Sequence, residues 1–506
     1  MNIQKTFKEL KNKLLEVSHL ASSASVLQWD LEVYLPKRGV APRAKSLSFL
    51  AAVVHEKFTS PEFERLITEL KNVLDKGLLG ESEACIVREV WRDFSREKKL
   101  PKEFVEELSR TTAEAHYIWV EARRKSDFSI FRPKLEKIIE LKRKEAEFIG
   151  YKTSPYNTLI DFYEKDATAE ELSVLFEELK NFLVPFLKKI ISSGKKINQE
   201  ILKGDYDIGK QKEFNRKIAE KIGFDFEKGR IDESTHPFTI SFNPEDVRIT
   251  TRFDKTDIFS AISSTVHEAG HALYEQGLKV KHFGTPLGEY RSHGIHESQS
   301  RLWENLVGRS LPFWRYWYPE LQKTFPQPFT SIKLDDFYKA INFVRPSFIR
   351  TESDEVTYNL HIILRFEVEK NLIEGSIEAK DLPEVWNEKT KELLGLKVPD
   401  DASGVLQDVH WSGGNFGYFP TYTLGNLYAA QFYDAAKKQI LNLEKQISLG
   451  HFEHLLEWLR KNIHVHGKFY FQDELLKKST GEKLNSRYFI DYLTKKYGEI
   501  YGINKK

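Results

Sequence analysis

The 506-residue chain sets 77 Lys and Arg against 75 Asp and Glu, a net charge of +2, so no global field draws it to nucleic acid or to an anionic membrane. With 40% hydrophobic and 13% aromatic residues it holds too much core material to be disordered, and its length allows one large domain or up to about three ordinary ones. The single cysteine, Cys85, excludes an internal disulfide framework and any cysteine-built metal cluster, which leaves histidine and carboxylates as metal ligands.

In chain order, the first residues carry a charge every few positions where a signal peptide needs an unbroken apolar run. No later run reaches the roughly 18 apolar residues of a membrane span, so a cytoplasmic location is expected, with no membrane partner. Phe7, Leu10, Leu14, Leu15 and Val17 recur at helical spacing, and the stretches Phe104 to Phe131 and Ala169 to Ile191 read alike. Long amphipathic helices are therefore expected to about residue 230, with breaks near Pro36, Gly39, Pro42, Gly77, Gly80, Pro101 and Pro155. Scarce thermolabile side chains, with Met1 the only methionine and 30% of residues charged, suggest heat adaptation.

Between His236 and Phe253 the period changes. Phe238, Ile240 and Phe242 alternate with polar residues, as do Val247, Ile249 and Phe253, across a turn signal at Asn243 and Pro244, which predicts a short β-hairpin. The helical pattern then resumes, broken around Pro312 to Pro328, at Pro346 and over Gly404 to Gly425. The long loop after Gly413 points to function.

The most informative residues are His267-Glu268-Ala269-Gly270-His271. Ile258, Phe259, Ile262, Val266, Ala269 and Leu273 step by three and four, so the motif lies on an amphipathic helix. His267 and His271 then stand one turn apart on one face and can reach one tetrahedral ion, with Glu268 beside them as the base for an activated water. Ser260, Ser264 and Tyr274 add polar groups to that face. A catalytic ion needs a third protein ligand, and His296-Glu297-Ser298-Gln299 opens a second helical pattern twenty-odd residues on. Spacing favours Glu297, with His293 and His296 as competitors.

These residues, HEAGH then HESQS, resemble the zinc peptidases with a glutamate third ligand, and the wider set resembles the thermostable (Taq-type) metallocarboxypeptidases. That family's other signatures are matched by His236-Pro237-Phe238, by Asp246 to Thr250, by Ile349-Arg350-Thr351-Glu352-Ser353-Asp354 and by Gly404 to Trp411. Five of the six motifs match fully, and the sixth has Ser353 in place of alanine. Trp29-Asp30, Tyr34-Leu35-Pro36, Gly39 and Arg43 extend the likeness over most of the chain.

The resemblance implies a mainly α fold: one large helical domain over residues 1–506 with a deep active-site groove and a small β element beside the HExxH helix. Residues 1–230 are expected to cover the groove and 231–506 to carry the catalytic part. The implied activity is a metal-dependent carboxypeptidase that releases single C-terminal amino acids with broad specificity. Its ion would be zinc or cobalt on His267, His271 and Glu297, its substrates peptides, and its state a homodimer. Glu268 would be the general base. His410, Tyr418 or Tyr422 could donate to the oxyanion, although packing with Phe416 and Phe419 explains the tyrosines equally well.

Arg350 is the first choice for the substrate carboxylate because its planar fork gives two charge-assisted bonds, with Tyr422 as helper. Arg248 and the open hairpin edge could hold substrate backbone, as could His236, for which a core position is the alternative. Position 301, one turn after Glu297, is Arg. The acid expected behind a metal histidine is therefore sought at Asp354, Glu355 or Asp408. The rivals are an oligoendopeptidase or dipeptidyl carboxypeptidase of the same helical class, and a non-catalytic peptide-binding scaffold.

Overall fold

The computed structural model describes residues 2–503. The N-terminal pattern folds as expected into the helices Ile3–Val33, Val40–Phe58, Pro61–Asp75 and Glu81–Glu97. Ser60 starts the third by accepting from the Phe63 amide, with Pro61 in the first turn where no amide is needed. For the same reason Pro42 causes no break: it lies in the first turn of Val40–Phe58. These helices close a core of their own around Leu10, Phe63, Leu66, Leu70 and Val90, which Leu287 joins from the rest of the chain.

The stretch Phe104 to Phe131 is two helices rather than one. Lys102–Lys125 ends on Ser126 at φ 54°, and Asp127 caps the next helix, Phe128–Ile149. Ala169–Ser192 follows the expected pattern from its Thr168 cap. Further on, Leu311–Thr324 absorbs Pro312 in its first turn, and the glycine-rich break stops short of Gly425, which lies inside the helix Pro420–Gln439. The helices from Lys102 onward pack into one continuous core, which Leu287 links to the smaller N-terminal one, so the chain is a single, largely helical domain.

The β element is larger than the predicted hairpin. β2 (Thr239–Asn243) pairs antiparallel with β3 (Asp246–Thr251), and β1 (Gly229–Glu233) adds a parallel strand on the far side of β3. β1 escapes a period-two reading because Ile231 is its only large apolar residue. Val247 and Ile249 of β3 are fully buried in the same core as Ile262 and Val266 of the HExxH helix, Ile258–Glu275, with β1 and β2 as the two edge strands. Among the described residues, no helix is long and apolar enough to cross a membrane.

Candidate active site

Asp257 caps the HExxH helix by accepting from the Ser260 amide, and the apolar stripe from Ile258 to Leu273 sinks into the core. His267 and His271 stand on its polar face with ring centroids 5.0 Å apart. The second helix, His293–Arg301, starts from its Ser292 cap and continues without a break as a π-helical turn, Leu302–Gly308.

Glycine permits the close approach of the HExxH helix and of the helix Pro420–Gln439 to this second helix. A Cβ on Gly270 would lie 2.7 Å from the Gln299 carbonyl oxygen, and one on Gly425 only 2.5 Å from Glu297 Cγ. Glu297 is thereby pressed toward the histidines: its Oε2 lies 3.2 Å from His271 Nε2 and 3.7 Å from His267 Nε2. One ligand atom from each of these three residues falls within 4.8 Å of the others, the span one ion can bridge.

The acid behind the metal-facing histidine is Glu304, whose Oε2 lies 2.8 Å from His267 Nδ1. Asp354, Glu355 and Asp408 do not take that place. Asp354 caps the segment at Val356 and Thr357, Glu355 pairs with Lys496 and Tyr492, and Asp408 pairs with two arginines. Glu304 lies seven residues after Glu297, close to two helical turns, and so returns to the same side of the continuous helical run. Ser263 donates to the other Glu304 oxygen, and Arg301 bridges Glu297 and Glu304 at 2.6 and 3.3 Å. His296 instead stacks on His271 and bonds Glu275 at 3.0 Å, while His293 packs against Tyr163 and Tyr418.

The donor set fits a divalent cation. Glu304 binds the Nδ1 side of His267, so that Nε2 is the atom turned toward Glu297. Burial pulls His267 down, yet Glu297 and Glu304 lift it to about 9, whereas burial and neighbouring His296 push His271 down to about 3. Burial would also raise Glu297, but Arg301 and the histidines outweigh it and hold the carboxylate well below its ordinary range. The cluster is thus built around a single centre of positive charge between acids.

Glu268 is buried, and burial raises its carboxyl against the pull of His267. Thr239 of β2 approaches it twice, with Oγ1 2.6 Å from Glu268 Oε2 and 2.9 Å from the Glu268 carbonyl oxygen. The edge strand therefore fixes the rotamer of this acid.

A second group sits beside the first through Tyr358. Arg301 stacks on the Tyr358 ring at 4.3 Å, and Arg350 Nη1 donates to its hydroxyl at 3.1 Å. Arg350 also stacks on Tyr422 at 4.8 Å, and His410 Nε2 lies 3.3 Å from the Tyr422 hydroxyl. Burial pushes His410 down to about 4, so it is neutral. Buried Glu369 pins the loop carrying these groups, accepting from Tyr156, Trp411 and the Gly417 amide at 2.7, 2.7 and 2.9 Å.

On the β element, Arg248 pairs with Asp246 through two 2.9 Å bonds and stacks on Trp29 at 4.3 Å. His236 is exposed, which removes the core alternative. Trp29, Tyr34 and Ser22 tie the first helix and its end to the sheet: Trp29 stacks under Arg248, the Tyr34 hydroxyl donates to Asp232 at 2.6 Å, and Ser22 donates to the Phe242 carbonyl of β2 at 2.6 Å. Beside His293 and His296, a cavity of about 470 Å³ opens along β2 toward Tyr290 and Glu275.

Compared with known proteins, residues 9–497 match the model of the carboxypeptidase Taq (M32) metallopeptidase family. The chain belongs to that family. It is 40% identical to carboxypeptidase 1 of Bacillus subtilis over 99% of this chain and 100% of that protein. It is 42% identical to thermostable carboxypeptidase 1 of Pyrococcus furiosus over 97% of this chain and 98% of that one. The crystal structure of an M32 carboxypeptidase from Deinococcus radiodurans superposes with a TM-score of 0.95 at 37% identity, covering 98% of this chain and 100% of that one. The M32 chain is a metallocarboxypeptidase, a peptide hydrolase, and membership implies a divalent metal.

Proposed function

We propose that this M32 enzyme removes single amino acids from peptide C-termini with broad specificity, using zinc or cobalt held by His267, His271 and Glu297. The observation that carries this reading is the convergence of those three ligand atoms next to buried Glu268. Two imidazoles and a carboxylate suit either ion, and availability decides between them. The ion, when bound, supplies Lewis acidity that activates water and polarises the scissile carbonyl.

Glu268, held by Thr239, takes the proton of the attacking water and passes it to the leaving amine. His410 and Tyr422 donate to the oxygen of the scissile carbonyl as it gains charge. Arg350 binds the terminal carboxylate with Tyr422 stacked on it, a feature every C-terminal residue shares, which supports broad specificity. Arg248, on β3, and His236, in the turn before β2, steady the upstream backbone along β2. The helices before residue 230 cover the groove. Heat stability, suggested by composition, agrees with relatives named thermostable. A homodimer follows from the family resemblance, and the near absence of cysteine supports a cytoplasmic location.

The deciding experiment is mass spectrometry of one peptide as free acid and as C-terminal amide, before and after chelation and with zinc or cobalt restored. Stepwise loss of single residues from the free acid alone, stopped by chelator and returned by metal, is the expected result. Internal fragments from the amide would sink it. Glu268→Gln should keep the metal and lose turnover.

A further inference from the structure

Arg350 and Arg365 share one carboxylate. Asp408 Oδ1 accepts from Arg350 Nε at 3.2 Å and lies 3.1 Å from Nη2, while Oδ2 accepts from Arg365 Nε at 2.7 Å and lies 2.5 Å from Nη2. The residue before it, Gln407, accepts from the Arg350 backbone amide at 3.1 Å, so this pair of neighbours holds Arg350 by both main chain and side chain. A guanidinium has five N–H donors. For Arg350, two face Asp408 and one goes to Tyr358, which leaves two for an incoming carboxylate.

Arg365 itself has no access to the groove. It projects from the helix Tyr358–Glu374, is 0% exposed, donates to the His361 carbonyl at 2.8 Å, and is boxed by Trp386 at 4.8 Å and Phe419 at 5.4 Å. It belongs to none of the six sequence motifs. Burying a guanidinium is costly unless it is paired, so its place beside Asp408 calls for a reason. The charge count supplies one. With both arginines the cluster carries +1; with Arg350 and Asp408 alone it would carry zero. The histidines facing it, His361 and His410, are kept uncharged by burial and by the arginines, so they do not alter the count.

We propose that Arg365 is a positioning residue for the carboxypeptidase reaction: it neutralises Asp408, so that Asp408 can aim the Arg350 fork without cancelling the charge that recognises the peptide's terminal carboxylate. This rests on the assignment of Arg350 to that carboxylate. The arrangement separates two demands that one ion pair cannot meet together, since a carboxylate close enough to orient Arg350 would otherwise compete with the substrate for it.

The test measures kcat and KM for an N-blocked dipeptide with a free C-terminus, and Ki for its C-terminal amide, which carries no terminal charge. Arg365→Met should raise KM about tenfold, with kcat changed less than about threefold and the amide Ki unchanged. Arg365→Lys, which keeps the charge, should hold KM within about threefold of the starting enzyme. Asp408→Asn with Arg365→Met restores the count to +1 and keeps an acceptor for Arg350, so it should recover most of the lost affinity. If Arg365→Met does not fold, this double variant carries the test.

An unchanged KM in Arg365→Met, an amide Ki that rises in step with KM, or a double variant no better than Arg365→Met would each overturn the proposal. Arg350→Met keeps the two readings apart. If it leaves the free-acid KM unchanged, the assignment of Arg350 fails. If it raises KM while Arg365→Met does not, only the charge-balancing role fails.

Discussion

The imidazole of His267 and the carboxylate of Glu304 meet at 2.8 Å between Nδ1 and Oε2, behind the face that His267 turns toward Glu297. Burial opposes the Glu304 charge, but Arg301 and His267 hold the carboxyl down at about 2, so Glu304 is a permanent acceptor over the working pH range. The histidine is thereby held with its other nitrogen turned toward Glu297, where a cation would take the place of its proton. Glu304→Gln should weaken metal binding roughly 10- to 100-fold. Metal content after dialysis against a graded chelator checks this, and unchanged retention would show that His267 needs no such partner.

Thr239 belongs to β2 and Glu268 to the HExxH helix, so their contact couples the sheet edge to the chemistry. Removing the hydroxyl with Thr239→Val frees the Glu268 rotamer. The expected outcome is a fall in kcat of about tenfold at unchanged metal content, since one hydrogen bond to a charged group is worth about 1.5–3 kcal/mol and only part of it orients the acid. Equal turnover in the two enzymes would remove Thr239 from the mechanism.

Gly425 gives Glu297 its room. A methyl at this position would have to displace the Glu297 side chain, because the Cβ would stand 2.5 Å from Cγ. Gly425→Ala should cost about 1–3 kcal/mol of stability by overpacking and also weaken the metal site. Thermal unfolding with and without added metal separates the two effects: the stabilisation conferred by metal should shrink. An undiminished metal shift would place the strain elsewhere.

Glu369 gives a dependence on pH. Burial raises its carboxyl to about 7 against the pull of Tyr156, Gly417 and Trp411, compared with an ordinary value of 4.5. The folded state therefore keeps a proton that the unfolded chain gives up between these values. The contribution is fully present below about pH 4.5 and is lost as pH rises through about 7, in total roughly 3 kcal/mol. Glu369→Gln, which cannot ionise, should flatten the fall in unfolding free energy over that window. A wild-type and variant difference that stays constant from pH 4.5 to 7 would refute this.

Local spacing was enough to place His267, His271 and Glu268 on one helix, and alternation was enough to predict a hairpin upstream of it, because both patterns repeat within a few residues. The late motifs were legible as a resemblance. Other parts of the site were not legible, for different reasons. β1 has too few apolar residues to show a period, and Ser126 breaks a helix that Phe104 to Phe131 reads as continuous.

Glu304 lay in plain view in the second helix, but nothing in a linear pattern says which of several acids will face a given histidine. Arg365 looks like any helical arginine until Asp408 is seen to reach it across 43 residues of chain. The sequence by itself determined the ligand types, the helical character and the class of chemistry, since these depend on residues close together in the chain. Tertiary structure alone decided which acid backs His267, which glycine admits Glu297 and how two arginines divide one carboxylate. Such pairings are chosen by how helices cross and by the cost of leaving a buried charge unmatched, and neither is written into any short stretch of chain.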